Sequence, residues 1–270
     1  MQGSLGEKIG EGAYSDVHAW APGQVLKLFK AGFPWRHSWW EARMTRAAVA
    51  AGAPAPEVFG EVSLEGRFGV VLQRLDGPTL LQLSRSGAMT PKQTGAILAA
   101  LAISIHKTPP PPEVFTLRDT MAGSTRLSST LPKHIATGIL ALIEHLAPGD
   151  GLCHGDLHAG NVGMTAEGPR LIDWGGAVRA PASFDLACCH VLLCDLAPKT
   201  VADPERPRAV NAATQSEYAR LAGMSQAVLA AAMEPYLPIV HVRILLGPAG
   251  SPALRERLLQ RVEAALCSED

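Results

Sequence analysis

The tripeptide Asp76-Gly77-Pro78 divides the sequence into two stretches of different character. Glycine followed by proline is a turn signal, and it stops both a helix and a central strand. Before it, "KIGEGAYSDVHAW", "GQVLKLFK" and "RFGVVLQRL" are short segments with β-branched and aromatic residues, bounded by glycine and proline. Such segments read as strands. One helix interrupts them: "HSWWEARMTRAAVAAG" carries alanines and Glu/Arg content and closes on glycine. "APAPEVFGEV" then returns to extended structure, because proline disfavours helix for the residue before it. After the turn the spacing of apolar residues becomes helical. Thr90 to Lys107 opens with a Thr-Pro cap and is stopped by Pro109 to Pro112. Leu131 to Leu146, Ser183 to Leu196, Asn211 to Ala222, Ser225 to Leu246 and Ser251 to Cys267 are further helices, with a kink expected at Pro235 or Pro238. Residues 197–210 read as a surface loop, and no internal repeat is present. A chain of 270 residues, 47% of them hydrophobic, can build one or two cores. The expected organisation is a small strand-rich lobe over residues 1–75, a hinge at about 73–77, and a larger helical lobe over 76–270.

Charge and cysteine content narrow the function class. The net charge is −1, so nothing favours a nucleic-acid polyanion or an anionic membrane as partner. The five cysteines are odd in number and form no C-x-x-C, which argues against a disulfide scaffold and a zinc ribbon. "MQGSLGEKIG" lacks the basic and apolar regions of a secretory signal. The run Leu186 to Leu196 is too short to span a bilayer. These readings lead to the expectation of a cytoplasmic protein with no membrane and no nucleic-acid partner; oligomeric state is not legible.

Four segments carry chemistry. Gly10-Glu11-Gly12-Ala13-Tyr14-Ser15-Asp16-Val17 is a turn in which glycines let backbone N–H groups approach phosphate oxygens, although glycine pairs at hairpins are common without that role. Lys27 follows on a strand. It shares a face with Val25 and Phe29, whereas its rival Lys30 lies on the other face near the strand end. Glu41, on the helix that follows, is either a surface charge or the carboxylate that holds a buried lysine in place. "CHGDLHAGNV", residues 153–162, then places Asp156 and Asn161 five positions apart, and "RLIDWGG" ends a short apolar strand on Asp173. Phosphoryl transfer needs a carboxylate to orient the acceptor hydroxyl and hard oxygen ligands for Mg²⁺. Asp156 suits the first role, and Asn161 with Asp173 the second.

"HGDLHAGN" followed by "LIDWG" resembles the catalytic and metal motifs, H-G-D-x-H-x-x-N and I-D-[FW]-[GE], of the aminoglycoside phosphotransferase and choline kinase branch of the protein-kinase-like fold. The likeness includes the Gly-rich loop, Lys27, Glu41, "LQRLDGPTL" and "SFDLA", and spans residues 10 to about 187. It implies an α+β, two-lobed protein-kinase-like fold with a small antiparallel sheet in the N-lobe and a larger, mainly helical C-lobe. It implies an ATP-dependent phosphotransferase, with GTP as the alternative donor and Mg²⁺ as cofactor, acting on a hydroxyl of a small molecule. Carried over, Asp156 is the catalytic aspartate and Asn161 and Asp173 bind Mg²⁺. Lys27, oriented by Glu41, contacts the phosphates under the loop of Gly10, Gly12 and Ser15, and the backbone around Gln73 to Leu75 meets the adenine. Ser15 replaces the third glycine of protein kinases, as is usual in this branch. Trp174 stands where they have phenylalanine, so the same on/off flip is not expected.

Other readings stay open beside this one. If residues 154–158 were a strand, His154, Asp156 and His158 would share a face and could bind Zn²⁺ or Mn²⁺ in a hydrolase; otherwise His154 braces the loop. A pseudokinase-type module would bind nucleotide without transfer. A protein kinase is disfavoured because no A-P-E-like motif follows Asp173. Cys188, Cys189, His190 and Cys194 read as the buried face of a helix, and Trp39 and Trp40 as packing of helix against sheet. The acceptor is an aminoglycoside or other antibiotic, an amino alcohol or a sugar-like molecule. From Asp185 onward there are ten acids against eight bases, which is no strong acidic surplus, although Asp185, Glu217 and Glu234 could serve a cation.

Overall fold

The computed structural model describes residues 5–197, 203–247 and 251–267. Along the chain run β1 (Lys8–Glu11), β2 (Ser15–Ala19), β3 (Gln24–Phe29), α1 (Arg36–Ala50), β4 (Val58–Leu64), β5 (Arg67–Gln73), α2 (Leu80–Arg85), α3 (Pro91–His106), α4 (Leu117–Leu127) and α5 (Lys133–His145). They are followed by β6 (Gly151–Cys153), β7 (Val162–Thr165), β8 (Gly168–Leu171), β9 (Val178–Ala180), α6 (Ala182–His190), α7 (Glu205–Ala222), α8 (Gln226–Met233), α9 (Leu237–Leu246) and α10 (Pro252–Cys267). The chain divides into two compact units. One comprises residues 1–89, 111–114 and 159–177, the other 90–110, 115–158 and 178–270.

In the first unit, alternation along β3 builds two apolar surfaces. Leu26 and Leu28 pack with Val71, Trp20, Val62 and Leu64 on one face of an antiparallel sheet ordered β1-β2-β3-β5-β4. Val25 joins Val70, Leu72, Val58 and Ala42 of α1 on the other. Lys27 therefore sits on the α1 side, opposite Val17 of β2 and Val70 of β5. The unit is completed by the β7–β8 hairpin, docked on the turn after β5. Gly77 and Gly163 make that docking fit. A Cβ at Gly77 would lie 1.7 Å from the Met164 carbonyl oxygen, and one at Gly163 would lie 2.5 Å from Leu75 Cδ1.

The second unit is helical around the short β6–β9 ribbon. Thr90 and Gln93 form a reciprocal capping box at the start of α3, on the Thr-Pro signal read from sequence. Gly95 lets α3 cross α7 closely, since a Cβ there would lie 2.6 Å from the Ala213 methyl. Gln226–Leu246 is the one helical stretch among the described residues that is long and apolar enough to cross a membrane. Half of it is buried in the protein, and the 3₁₀ turn Glu234–Tyr236 breaks it at Pro235, one of the two prolines that marked the expected kink; Pro238 lies in the first turn of α9.

Three expectations need correction. Residues 205–210 are not loop: α7 begins at Glu205, because Asp203 Oδ1 accepts the N–H groups of Glu205 and Arg206 and Pro207 fits the first turn. Residues 198–202 of that expected loop lie outside the described residues. The helix starting at Ser183 does not stay α-helical; it becomes a π-helix over Val191–Leu196. The structure also holds two helices not expected from the sequence, α2 and α4, each capped by the threonine before it.

Candidate active site

In the first unit, β3 and α1 bring Lys27 and Glu41 together. Lys27 Nζ lies 3.1 Å from Glu41 Oε1 and 2.9 Å from Asp173 Oδ1. Glu41 is buried and the Lys27 side chain is 12% exposed, while Asp173 is 46% exposed. Burial pulls the Lys27 pKa down, but the two carboxylates outweigh it and hold the ammonium charged. Glu41 is pushed up to about 7 by burial; Lys27 opposes that shift and Asp173 adds to it.

Among the described residues, Asp173 is one of two non-glycines with positive φ, at +68°, a conformation that costs energy and persists only when its surroundings impose it. The 3₁₀ turn Trp174–Gly176 that follows is pinned at two points. The buried Trp174 donates its indole N–H to the Leu171 carbonyl at 2.8 Å, and Trp40 donates to the Gly175 carbonyl at 2.9 Å. Gly175 also lies under Glu41: a Cβ there would be 2.9 Å from Oε2. Asn161 ends the 3₁₀ turn before β7 and is buried. Its carbonyl accepts the Ile172 N–H at 2.9 Å, so Asn161 and Asp173 leave the same end of the β7–β8 hairpin.

The Gly-rich hairpin is closed by the Gly12 N–H donating to the Ser15 carbonyl at 2.8 Å, with Ser15 buried. Glu11 between the glycines pairs with Lys8 and Lys30, which accounts for Lys30. A Cβ at Gly10 or Gly12 would meet its nearest neighbour at 3.5 Å, an ordinary contact, so the hairpin itself does not demand glycine there. Gln73 is tied to Glu57 through its N–H at 2.8 Å and its side-chain oxygen at 3.3 Å. Leu75 packs on Gly163.

In the second unit, Asp185 of α6 organises the loop after β6. It is fully buried; its carboxylate accepts the N–H of His154 at 2.8 Å and of Gly155 at 2.6 Å, and meets His106 Nε2 at 3.2 Å. His106 Nδ1 lies 2.9 Å from the Tyr218 hydroxyl of α7. The next residue, Asp156, donates its N–H to His154 Nδ1 at 3.3 Å, and its carboxylate lies 3.7 Å from His158 Nε2. Burial alone would raise its pKa; His158, His154 and Arg243 reverse that and hold the carboxyl well below the usual range. Its side chain is 41% exposed.

A model of the APH phosphotransferase enzyme family matches residues 25–224. The chain belongs to this family. It is an enzyme, a small-molecule phosphotransferase, and its fold is protein-kinase-like. Three solved structures share that fold. The streptomycin–ATP–APH(2'')-IIa ternary complex is 16% identical with a TM-score of 0.56, over 98% of this chain and 91% of that one. A choline/ethanolamine kinase family protein from Mesorhizobium loti is 18% identical with a TM-score of 0.54, over 98% and 88%. A putative fructosamine-3-kinase from Haemophilus somnus is 10% identical with a TM-score of 0.62, over 96% and 91%. No curated protein sequence matches significantly.

In this phosphotransferase the histidine-face arrangement does not form. Strand β6 ends at Cys153 and Gly155 has φ +76°, so His154, Asp156 and His158 do not lie on one strand face. His154 is buried and braces the loop. Among the described residues, one group of three metal-capable side chains is found elsewhere: His106, Cys153 and Asp185. Asp185 there already receives two backbone N–H groups, and burial pushes the Cys153 thiol well up, so the group reads as structural. Cys188 and Cys189 are buried as expected, but His190 and Cys194 are partly exposed. Trp40 does link helix to turn. Trp39 is not buried: it is 38% exposed, against the exposed Trp35 and under the Arg43 guanidinium. Sequence reading missed His106, Tyr218 and Gly163. Their partners are 79 to 112 residues away, and no local pattern marks them.

Proposed function

We propose that this phosphotransferase moves the γ-phosphate of ATP, with GTP as the alternative donor, to a hydroxyl of a small molecule. The observation that carries the reading is the position of Lys27 Nζ between Glu41 and Asp173, a largely buried cation locked on the sheet face beside α1. Such an ammonium, fixed and always charged, is suited to phosphate oxygens. The ATP bound in the streptomycin complex supports a nucleotide donor for this fold. Residues 1–75 serve as the nucleotide-binding lobe. The returning segment 159–177 adds the metal ligands, 73–77 is the hinge, and 76–270 otherwise forms the acceptor lobe.

Lys27, oriented by Glu41, neutralises charge on the phosphates. The hairpin of Gly10, Gly12 and Ser15 covers them, and the backbone of Gln73 to Leu75 meets the adenine edge. Asn161 and Asp173 offer an amide and a carboxylate oxygen from one hairpin end, a hard donor set that fits Mg²⁺ and would hold it there. Bound there, the ion would neutralise charge on the transferred group. Asp156 accepts a hydrogen bond from the acceptor hydroxyl. The acceptor's hydroxyl oxygen attacks the γ-phosphorus, the bond to the β–γ bridging oxygen breaks, ADP leaves, and the hydroxyl proton passes to Asp156. A carboxylate held that far down is a weak base, so Asp156 contributes mainly orientation.

The test is transfer from [γ-³²P]ATP to a panel of hydroxyl acceptors, with nucleotide binding followed by calorimetry. Asp156→Asn is expected to lose transfer and keep nucleotide binding. Asp173→Ala is expected to lose Mg²⁺-dependent transfer while the protein still folds. Normal turnover in either variant overturns its assigned role.

A further inference from the structure

The tip of the Gly-rich hairpin has few holds of its own. Glu11, Gly12, Ala13 and Tyr14 are all exposed. The ion pairs of Glu11 with Lys8 and Lys30 join exposed side chains, and such pairs contribute little. Two backbone bonds close the turn: the Gly12 N–H donates to the Ser15 carbonyl, and the Lys30 N–H donates to the Tyr14 carbonyl at 2.9 Å. A glycine-rich turn held only in that way would be ordered by its ligand, and the ordering would cost affinity.

A row of aromatic rings supplies a further hold. The Tyr14 ring lies 5.7 Å from the Phe33 ring, centre to centre, at an angle of 56°. Phe33 stands in the segment between β3 and α1. It also meets Phe29 of β3 at 6.2 Å and, edge-on, His37 of α1 at 5.3 Å. Phe29 and His37 are 6.1 Å apart. These spacings lie in the range where aromatic pairs attract. The row ends beside the Lys27–Glu41 pair. Phe29 follows Lys27 by two residues on the same face of β3, and Lys27 Nζ lies 5.8 Å from its ring centre. His37 stands one turn before Glu41 on α1. Phe33 thus touches the hairpin tip, β3 and α1 at once.

We propose that Tyr14 and Phe33 are positioning residues for the nucleotide. Their ring contact fastens the hairpin tip to the segment that leads into α1, so that the hairpin N–H groups, Lys27 and Glu41 form one preset frame for the phosphates. Both rings act through the hairpin backbone rather than on the reacting atoms. The inference rests on the nucleotide-dependent kinase reading and adds to it the device that sets the hairpin.

The experiment titrates the intact protein and its variants calorimetrically with Mg-ATP and Mg-GTP, and with the matching nucleosides, which lack phosphates. Tyr14→Ala and Phe33→Ala should each weaken binding of the preferred Mg-nucleotide about threefold to tenfold, while its nucleoside binds as before. The melting temperature of Tyr14→Ala should fall by no more than about 4 °C, because the ring is exposed at the hairpin tip. Tyr14→Phe keeps the ring and should recover most of the affinity. The double variant Tyr14→Ala/Phe33→Ala should bind no more weakly than Phe33→Ala alone, because the two residues act through one contact. Additive losses, an equal loss for nucleoside and nucleotide, or wild-type affinity in Tyr14→Ala would overturn the proposal and leave the kinase reading standing. A wild-type protein that binds neither nucleotide would overturn both.

Discussion

Trp40 and Gly175 are joined by a 2.9 Å hydrogen bond across 135 residues, from the helix that carries Glu41 to the turn that follows Asp173. The indole thus sits on both sides of the Lys27 cluster: one residue from Glu41 and two from Asp173. Trp40→Phe keeps most of the packing and removes the donor. It should cost about 1 kcal/mol of stability while turnover falls by a larger factor, about tenfold. Gly175→Ala acts on the same point from the other side, because its Cβ would press on Glu41 Oε2. Steady-state kinetics alongside thermal melts will separate the two effects; equal losses of stability and rate would mean that the bond is merely structural.

Two glycines, equally prominent in the sequence, should behave oppositely. Gly77→Ala forces a Cβ onto the Met164 carbonyl oxygen, a backbone atom that cannot swing aside. A loss of about 3 kcal/mol or more is expected, or failure to fold. Gly12→Ala meets only ordinary contacts. Its melting temperature should match the wild type, while the affinity for Mg-ATP falls because the methyl occupies the phosphate approach. Calorimetric titration with ATP checks the second outcome, and soluble expression with melting checks the first.

Asp185 gives the chain an acid-sensitive joint. Burial opposes its ionisation, yet His106, His154 and the Gly155 N–H hold its pKa below that of an ordinary aspartate. A depressed folded pKa means that its stabilisation is complete above the unfolded value, about 3.9, and is lost as the pH falls through the folded one. Urea unfolding at stepped pH should show a steep acid limb in the wild type and a shallower one in Asp185→Asn. Asp185→Ala, which orphans two buried N–H groups, should cost about 3–5 kcal/mol at neutral pH.

Tyr218 supports that joint from α7. Burial pushes its hydroxyl up to about 12, so it stays protonated through neutral pH. Tyr218→Phe removes a single hydrogen bond to His106 and should lower stability by about 1 kcal/mol. The activity loss should be larger for Tyr218→Phe than for a change at the exposed Leu221 one turn on, such as Leu221→Ala, measured with the same acceptor.

How much of this was legible follows from the range of each signal. The face of Lys27 was readable because strand alternation is local: Val25 and Lys27 point to α1, Leu26 and Leu28 away from it. The capped start of α3 was readable for the same reason. The start of α7 was misread because Pro204 and Pro207 are breakers in a helix interior but suit its first turn. Trp39 was misread because a tryptophan beside the buried side of a helix says nothing about which way its own position turns. The tie from Tyr218 through His106 to Asp185 spans three helices and has no signature in any one of them.

The path of the chain sets an order of assembly. Residues 159–177 belong to the first unit, although residues 90–110 and 115–158, which belong to the second, are made before them. During synthesis Lys27 therefore waits for Asp173, and the turn at Gly77 waits for Met164, until some 177 residues have left the ribosome. A nascent chain cut at residue 89 carries the whole five-stranded sheet and none of the hairpin that closes it.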